Sequence, residues 1–326
     1  KVGEGTFGEV TRATCKSTGQ QVALKKILMH NEKEGIPITA LREIRILKAL
    51  HHTCIIELVE MTIAANKRTR GAMFMSFPYM EHDLAGLLQN PDVVFYPDQI
   101  KSFMQQLLRG TWYLHRNAIL HRDMKSANIL INNRGELKIA DFGLARTYDP
   151  SNPGREYTNL VVTRWYRPPE LLLGAVCYDS AVDMWGVGCV FGEILTRIPV
   201  FQGRSDFQQL DTVFSVTGTP NQQTWPNHVY LPVVMRDDPA TFQTVHKRDV
   251  IGFFERHYRN SRRTADPEAL SLVDQLLVNN PAERLSAEQA LDHLYFHKEP
   301  KPRRTGPGFA DWAASHELDA RNRRDQ

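Results

Sequence analysis

The sequence feature that most constrains the fold is a polar stretch from His121 to Asn128, followed thirteen positions later by Asp141. The stretch reads His-Arg-Asp-Met-Lys-Ser-Ala-Asn, and Asp141 opens the tripeptide Asp-Phe-Gly. Phosphoryl transfer from a nucleotide needs one carboxylate to orient and deprotonate a hydroxyl, and a second carboxylate with an amide oxygen to hold Mg²⁺. Asp123, Asn128 and Asp141 offer these groups, and Lys125 would neutralise charge on the moving phosphoryl group. We therefore expect residues that are distant in sequence to meet around one magnesium nucleotide.

A glycine-rich segment near the start of the chain, from Gly3 to Val10, has the pattern GxGxxGxV. Glycines suit a loop whose backbone amides approach phosphate groups closely. A dinucleotide-binding fold would continue Gly8 into a helix. Here the following residues are β-tolerant, a turn follows, and residues Gln20 to Leu28 read as a second strand. The sequence therefore predicts a glycine-rich hairpin, with Lys25 on its returning strand.

A helix that begins near Pro37 is the next predicted element. Its apolar residues recur at three-residue steps, in Ile38, Leu41, Ile44 and Leu47. Glu43 lies on this helix and is the candidate partner of Lys25, because such an ion pair would aim the lysine at the α- and β-phosphates. A solvated helix charge is the alternative interpretation of Glu43.

The rest of the chain reads as mostly helical, with few strands. A buried strand is predicted over Ala72 to Phe77 and a helix over Asp98 to His115. Two short apolar runs, residues 129–131 and 137–139, predict a hairpin that presents Asp141. Residues from about Phe201 to Asp266 read as an irregular insertion that contains prolines.

Composition narrows the classes of function. A net charge of +3 over 326 residues is small, so direct nucleic-acid binding is not expected. The most apolar run, Met184 to Leu195, is short and contains Glu193, which argues against a membrane-spanning helix. The four cysteines show neither a CxxC pair nor metal spacing; this is typical of a reducing intracellular compartment, and we expect them to be buried.

These motifs, in this order, resemble those of eukaryotic protein kinases over nearly the whole chain. Residues Pro37 to Glu43 spell PITALRE, which is similar to one group of cyclin-dependent kinases that includes the catalytic subunit of positive transcription elongation factor b and the fungal Bur kinase. The resemblance implies an α+β, bilobal fold with a small β-rich N-lobe that has one main helix and a larger, mostly helical C-lobe. The implied parts are an N-lobe over 1–77 with an incomplete first strand, a hinge over 78–83, a C-lobe over 84–297 and a basic C-terminal extension over 298–326, expected to be flexible or loosely docked.

The resemblance also implies that ATP, bound with Mg²⁺, is the phosphoryl donor. The implied metal ligands are Asn128 and Asp141, and the implied catalytic residues are Asp123, Lys125 and Thr163. The implied ATP-binding residues are Gly3, Glu4, Gly5, Thr6, Phe7, Gly8, Val10, Ala23, Lys25, Glu43, Phe77, Tyr79, Met80, Asp83 and Leu130. For the apolar members of this set, core packing is an equally good explanation.

Regulation is implied at two positions. The helix from Pro37 to Leu50 matches the element that docks a regulatory cyclin. Thr158 matches the threonine that an activating kinase phosphorylates, and its phosphate would add roughly −2 charge. The arginines that would bind this phosphate are Arg42, Arg122 and Arg146.

Substrate class is implied by residues near the end of the segment that follows Asp141. Lys125 and Thr163 resemble the pair that positions a serine or threonine hydroxyl. Val161, Val162 and Arg167 match a pocket that prefers proline after the phosphoacceptor, because proline lacks an N–H group. The resemblance thus implies Ser/Thr-Pro substrates, above all the C-terminal repeats of RNA polymerase II and elongation factors, in the nucleus. Arg164 departs from the leucine that is usual in this segment.

Three alternatives stay open. Within the enzymes, the runner-up is a cell-cycle or another transcriptional cyclin-dependent kinase. A pseudokinase scaffold would normally have lost one of the catalytic groups, whereas Lys25, Asp123, Asn128 and Asp141 are all present. A nucleic-acid-binding module could use the basic C-terminal residues, but no aromatic stacking platform or basic helix accompanies them.

Overall fold

A computed structural model describes residues 3–5, 8–27, 36–64, 72–236, 244–260 and 265–318. The chain forms two compact units. The first unit contains residues 1–110, 126–146 and 303–326, and the second contains 111–125 and 147–302. The predicted ATP-binding residues Thr6 and Phe7 lie outside the described residues, as do the last basic residues of the chain. The lobe, hinge and extension boundaries remain predictions.

The strands among the described residues are β1 (Gly3–Gly5), β2 (Gly8–Thr14), β3 (Gln21–Lys26), β4 (Glu60–Ile63), β5 (Met73–Pro78), β6 (His82–Asp83), β7 (Ile119–Leu120), β8 (Ile129–Ile131), β9 (Leu137–Ile139) and β10 (Arg146–Thr147). The α-helices are α1 (Ile38–Ala49), α2 (Leu84–Gln89), α3 (Pro97–Arg116), α4 (Pro169–Leu172), α5 (Ala181–Thr196), α6 (Asp206–Thr217), α7 (Pro232–Arg236), α8 (Val250–Asn260), α9 (Pro267–Leu276) and α10 (Ala287–Leu291). Short 3-10 helices cover Ser126–Asn128, Phe142–Leu144, Arg164–Tyr166, Pro226–Tyr230, Pro281–Glu283 and Leu294–Phe296.

The first unit is built on a five-stranded sheet in the order β1-β2-β3-β5-β4. All neighbouring strands are antiparallel. β2 and β3 form the predicted hairpin with Lys25 on its returning strand, and β1 pairs with β2, with Gly5 opposite Gly8. Gly8 has a φ of +152°, which a residue with a Cβ rarely adopts. The hairpin and the α+β class are as predicted from the sequence.

Helix α1 lies in the first unit and follows Pro37. Its buried side, which includes Ile46 and Leu47, faces the core, whereas Ile38 and Leu41 are exposed. The prediction of a helix near Pro37 is therefore confirmed, but two of the four apolar residues that define its period do not face the core.

A second, three-stranded sheet in the first unit has the order β6-β8-β9. The hairpin of β8 and β9 pairs Ile129 with Ile139, as the two apolar runs predict. Gly135 in the connecting turn has a φ of +75°, which explains a glycine there.

Residues 303–318 belong to the first unit and pack against it, which corrects the expectation of a flexible or loosely docked extension. Phe309 is 4% exposed, and its ring lies 5.6 Å from that of Phe103. Arg303 Nε donates to Asp98 Oδ2 at 2.7 Å. Apolar burial and charge-assisted hydrogen bonds therefore hold this segment, although it looks polar and basic in the sequence.

The second unit is mostly helical and centres on α5, every residue of which is buried. Gly186 allows α5 to lie close to Met124, because a Cβ at position 186 would be only 2.6 Å from Met124 Cβ. Helices α6 and α8 lie within 201–266, so the expectation of an irregular insertion is wrong for these two stretches. Ser205 caps α6 by accepting a hydrogen bond from the Gln208 amide, and Gly218 follows its end with a φ of +82°.

The cysteines only partly follow the expectation of burial. All four are free; Cys54 and Cys189 are buried, Cys15 is half-buried and Cys177 is exposed. No helix among the described residues combines the length and the apolar character that crossing a bilayer requires.

Candidate active site

In the first unit, the predicted phosphate-binding lysine contacts two acids. Lys25 lies on β3, and its Nζ is 2.7 Å from Glu43 Oε1 and 3.0 Å from Asp141 Oδ1. Glu43 is directed inward by α1, and Asp141 follows β9. The structure thus brings together three of the residues that the sequence predicted to act on the nucleotide.

These contacts set the charge of the lysine. Burial alone would lower the pKa of Lys25, but the negative charges of Asp141 and Glu43 outweigh burial, so its pKa lies above the usual value. Lys25 is therefore a fixed ammonium, suited to binding phosphate oxygens.

Asn128 and Asp141 flank the same end of the β8–β9 hairpin. Asn128 precedes β8, Asp141 lies two residues after β9, and the Ala140 amide donates to the Asn128 carbonyl oxygen at 2.9 Å. Asp141 has a φ of +59°, a left-handed conformation that is uncommon outside glycine and costs free energy unless the surroundings enforce it. The turn of the chain between two short strands therefore places the two predicted metal ligands side by side.

This pair of side chains fits magnesium by its chemistry. Mg²⁺ prefers oxygen ligands and is commonly held by one or two carboxylates together with substrate phosphates. Asp141 offers a carboxylate and Asn128 an amide oxygen. Among the described residues, no three His, Cys, Asp or Glu side chains form a cluster that could hold a metal ion.

The predicted adenine-binding residues lie on neighbouring strands of the first unit. Ala23 on β3 is paired with Phe77 on β5, which is 8% exposed. Leu130 on β8 is paired with Asp83 on β6. Gly3 and Gly5, with Glu4 between them, form β1, and Gly8 and Val10 lie on β2. Their roles toward ATP remain predictions.

The segment after β5 contacts residues 303–318. Met80 is buried, and the Tyr79 hydroxyl lies 3.4 Å from His316 Nε2. Asp83 accepts hydrogen bonds from the Gly86 amide at 2.7 Å, which caps α2, and from the Glu317 amide at 2.8 Å. Both carboxylate oxygens of Asp83 are thus already engaged by the protein.

In the second unit, the three predicted catalytic residues meet directly. The Thr163 amide and hydroxyl donate to Asp123 Oδ1 at 3.1 Å and 3.0 Å. Lys125 Nζ lies 2.8 Å from Asp123 Oδ2 and 3.1 Å from Thr163 Oγ1. These contacts fix the orientation of a carboxylate that can accept a proton from a hydroxyl.

The backbone before Asp123 is held by Asp183 on α5. Its carboxylate accepts from the amides of His121 at 2.9 Å and Arg122 at 2.8 Å, and His115 Nε2 lies 3.0 Å away. Burial would raise the pKa of Asp183, but the hydrogen bonds from His115 and the backbone and the nearby histidine charges outweigh burial, so its pKa is lowered. Asp183 therefore holds the backbone of the stretch that carries Asp123.

The segment that contains Thr158 is anchored by its neighbour Tyr157. Tyr157 is 8% exposed and packs on Tyr178 with the ring centroids 5.3 Å apart, whereas Thr158 is exposed. The Tyr178 hydroxyl donates to the Thr158 carbonyl oxygen at 2.7 Å and accepts from Arg122 Nη1 at 2.9 Å. Tyr178, which sequence reasoning missed, thus links two residues that it had named.

The other two predicted phosphate-binding arginines belong to the first unit, Arg42 on α1 and Arg146 on β10. Their meeting with Arg122 around a phosphate remains a prediction.

The residues of the predicted proline pocket are in contact. Arg167 Nε donates to the Val161 carbonyl oxygen at 3.0 Å, and Nη2 donates to that of Val162 at 3.2 Å. Nearby, Arg284 forms a two-point ion pair with Glu170, with nitrogen–oxygen distances of 2.9 Å and 3.0 Å. Both side chains of this pair are buried.

Comparison with known proteins agrees with this geometry. A sequence model of the protein kinase domain matches residues 1–296. The chain belongs to the protein kinase family. The bilobal kinase fold expected from the motifs, with an antiparallel sheet in the small lobe and a helical large lobe, is thereby confirmed.

Relatives of this kinase are similar over its full length. The serine/threonine-protein kinase bur1 of Emericella nidulans is 51% identical over 340 aligned positions, which cover 100% of this chain and 60% of the relative. The probable cyclin-dependent kinase 9 of Schizosaccharomyces pombe is 49% identical over 342 positions, which cover 100% of this chain and 56% of the relative. The chain thus spans little more than half the length of these relatives.

A solved structure is also similar. The crystal structure of the yeast RNA polymerase II CTD kinase CTDK-1 complex includes a chain with a TM-score of 0.81 and 39% identity. The match covers 91% of this kinase and 92% of that chain. The resemblance to PITALRE-type cyclin-dependent kinases, stated on the motifs alone, is confirmed by these relatives.

Proposed function

We propose that this chain is the catalytic part of a cyclin-dependent serine/threonine kinase that transfers the γ-phosphate of ATP to Ser/Thr-Pro sites. The observation that carries the proposal is the contact of Asp123 with both Lys125 and Thr163. A pseudokinase would normally have lost one of the catalytic groups, whereas Lys25, Asp123, Asn128 and Asp141 are all present. The cluster Lys25, Glu43 and Asp141 supplies the charges that ATP binding needs.

The residues divide the chemistry among them. Asp123 orients the substrate hydroxyl and takes its proton, while Lys125 and Thr163 hold the carboxylate and define room for a short side chain. Lys25 binds phosphate oxygens and is itself held by Glu43. Asn128 and Asp141 would hold Mg²⁺, which when bound would supply positive charge to offset that of the phosphate oxygens.

This assignment is tested on the kinase purified with its bound cyclin. Transfer of labelled phosphate is measured on a Ser-Pro peptide and on a matched tyrosine peptide, with nucleotide binding measured in parallel. We expect transfer to the serine peptide alone. Asp123→Asn should leave nucleotide binding nearly intact while transfer collapses, and wild-type levels of transfer by this variant would contradict the role of Asp123.

A cyclin is the partner that we propose for α1. Ile38 and Leu41 are 69% and 44% exposed. Exposed apolar residues that lie close together on a helix indicate a protein interface. Replacing both by aspartate should abolish co-purification of the cyclin. The control is Val245→Asp, an apolar residue of the second unit that is 84% exposed and should not matter.

The identity of the co-purified cyclin separates the transcriptional from the cell-cycle alternative. We propose the transcriptional branch, with the C-terminal repeats of RNA polymerase II and elongation factors as substrates in the nucleus. Its support is the similarity to bur1 and CTD kinases together with the PITALRE helix. Recovery of a cell-cycle cyclin would contradict this choice without affecting the kinase assignment.

Thr158 is the proposed site of an activating kinase. It is exposed, and its carbonyl is tied through Tyr178 to Arg122. A phosphate on Thr158 would provide acceptor oxygens for Arg42, Arg122 and Arg146. In the cyclin complex, Thr158→Ala should lower activity toward a protein substrate, and unchanged activity would contradict the proposal.

A further inference from the structure

Val162 has a backbone conformation that a β-branched residue rarely adopts. Its φ is +67°, in the left-handed region, and such a conformation persists only where the surroundings enforce it. The hydrogen bonds of Arg167 to the carbonyl oxygens of Val161 and Val162 provide that enforcement. The guanidinium of Arg167 is therefore a structural part of the pocket.

Arg167 is itself held by Asp206, a residue that no motif pointed to. Arg167 Nη1 donates to Asp206 Oδ2 at 3.2 Å, and Arg164 Nε donates to Asp206 Oδ1 at 2.8 Å. Each carboxylate oxygen of Asp206 thus accepts a hydrogen bond from a different arginine. Asp206 is the first residue of α6, where a negative charge also interacts favourably with the helix dipole.

The carboxylate of Asp206, which bridges Arg164 and Arg167, also reduces the repulsion between these two arginines. Arg164 and Arg167 are separated by one turn of 3-10 helix. The side chain of Arg167 is only 14% exposed, whereas Arg164 and Asp206 are 44% and 49% exposed. The bridge therefore links a solvent-facing pair of charges to the more buried arginine that shapes the pocket.

We propose that Asp206 is a positioning residue for substrate specificity, which acts through Arg167 and is oriented by Arg164. It keeps the Val162 carbonyl bonded to the protein, so this carbonyl is already occupied when a substrate arrives. An N–H group on the residue after the phosphoacceptor then lacks this acceptor, whereas proline has no N–H to satisfy. The inference rests on the proposed function and names what enforces its proline preference.

The test compares two peptides that differ only in having proline or alanine after the acceptor serine. kcat/KM for each peptide is measured with the cyclin-bound kinase and with Asp206→Asn, Asp206→Glu and Arg164→Leu. Asp211→Asn is the matched control, because Asp211 lies on the same helix, is 61% exposed and is not bonded to Arg164 or Arg167. Thermal melting of every variant reports whether it is folded.

We expect Asp206→Asn to lower the proline-to-alanine ratio of kcat/KM by about threefold to fivefold, the effect of losing a half-exposed ion pair. Asp206→Glu should restore most of the ratio, Arg164→Leu should lower it less, and Asp211→Asn should keep it.

If Asp206→Asn has the same proline-to-alanine ratio of kcat/KM as Asp211→Asn, the proposed role of Asp206 is wrong, while the kinase assignment and proline preference are unaffected. If Asp206→Asn is too unstable to assay, Arg164→Leu decides, because an unchanged ratio contradicts a carboxylate oriented by Arg164. A wild-type enzyme that accepts both peptides equally would overturn proline direction itself, and the role of Asp206 with it.

Discussion

Lys25 Nζ lies 2.7 Å from Glu43 Oε1, so a buried ion pair joins strand β3 to helix α1. The two side chains are 7% and 2% exposed. Desolvation makes such a pair a poor source of stability compared with apolar packing. We propose a functional reason for the pair: next to Asp141, it would hold an ammonium where phosphate oxygens bind.

Glu43→Gln should lower kcat/KM for ATP. Removing one charge-assisted hydrogen bond of about 1.5–3 kcal/mol predicts a decrease of about tenfold to a hundredfold. Steady-state kinetics of the cyclin-bound kinase with varied ATP measures the change. Lys26→Met, one residue from Lys25 on the same strand, is the control and should change this value little; an equal effect of both variants would contradict a specific role for the pair.

Arg284→Ala should strongly destabilise the second unit. The partners of the Arg284–Glu170 pair are 0% and 4% exposed, so the variant leaves a buried carboxylate without its cation, at a cost of about 3–5 kcal/mol. Denaturant unfolding measures the loss. The control is Arg256→Ala, which breaks an exposed ion pair with Asp249 and should cost less than about 1 kcal/mol. A similar loss of unfolding free energy in both variants would contradict the prediction that the buried pair matters more than the exposed one.

Phe309→Ala should destabilise the first unit by about 3–5 kcal/mol, because truncating a buried ring removes apolar contacts and leaves a cavity. Limited proteolysis should then cleave within residues 303–318 faster than in the wild type. Phe207→Ala removes a ring that is 63% exposed and should change the unfolding free energy by no more than about 0.5 kcal/mol. Wild-type stability of Phe309→Ala would show that the segment is not anchored.

Cys15 should be the cysteine most reactive toward alkylation near neutral pH. Hydrogen bonds from Ser17 and Thr18 lower the pKa of its thiol from 9.0 to about 7. The thiolate therefore forms as the pH rises through about 7, and the alkylation rate should rise over the same range.

Mass spectrometry of alkylated peptides measures this rate. Burial raises the pKa of Cys54 and Cys189, which should stay unmodified in the folded protein. Ser17→Ala should move the midpoint for Cys15 to higher pH, and an unmoved midpoint would contradict the hydrogen-bond explanation.

Local motifs predicted the chemical groups of this kinase well. Asp123 and Lys125 are two residues apart, and the 129–139 hairpin follows from two short apolar runs with a turn between them. Both arrangements depend on backbone geometry over a few residues, which the sequence encodes directly. The pairing of Lys25 with Glu43 could also be predicted, because each of the two residues belongs to a recognisable sequence motif.

Contacts without a local pattern could not be predicted. Asp206 meets Arg164 from 42 residues away, and its helix lies in a region that showed no clear period. Tyr178 and Tyr157 were overlooked because two aromatic residues in polar surroundings give no periodic signal. For residues 303–318, polar composition suggested solvation, but the Phe309 ring is buried, and Phe309 and Trp312 both pack on aromatic residues that are distant in sequence.

Those rings bear on how the kinase is best produced. Trp312 packs 5.5 Å from Phe95 and Phe309 packs 5.6 Å from Phe103, yet the protein kinase match ends at residue 296. A recombinant chain that ends at residue 296 would lack Phe309 and Trp312, so the aromatic residues on which they pack would be exposed to solvent. We expect such a chain to aggregate during expression. A recombinant chain should therefore retain residues 303–318.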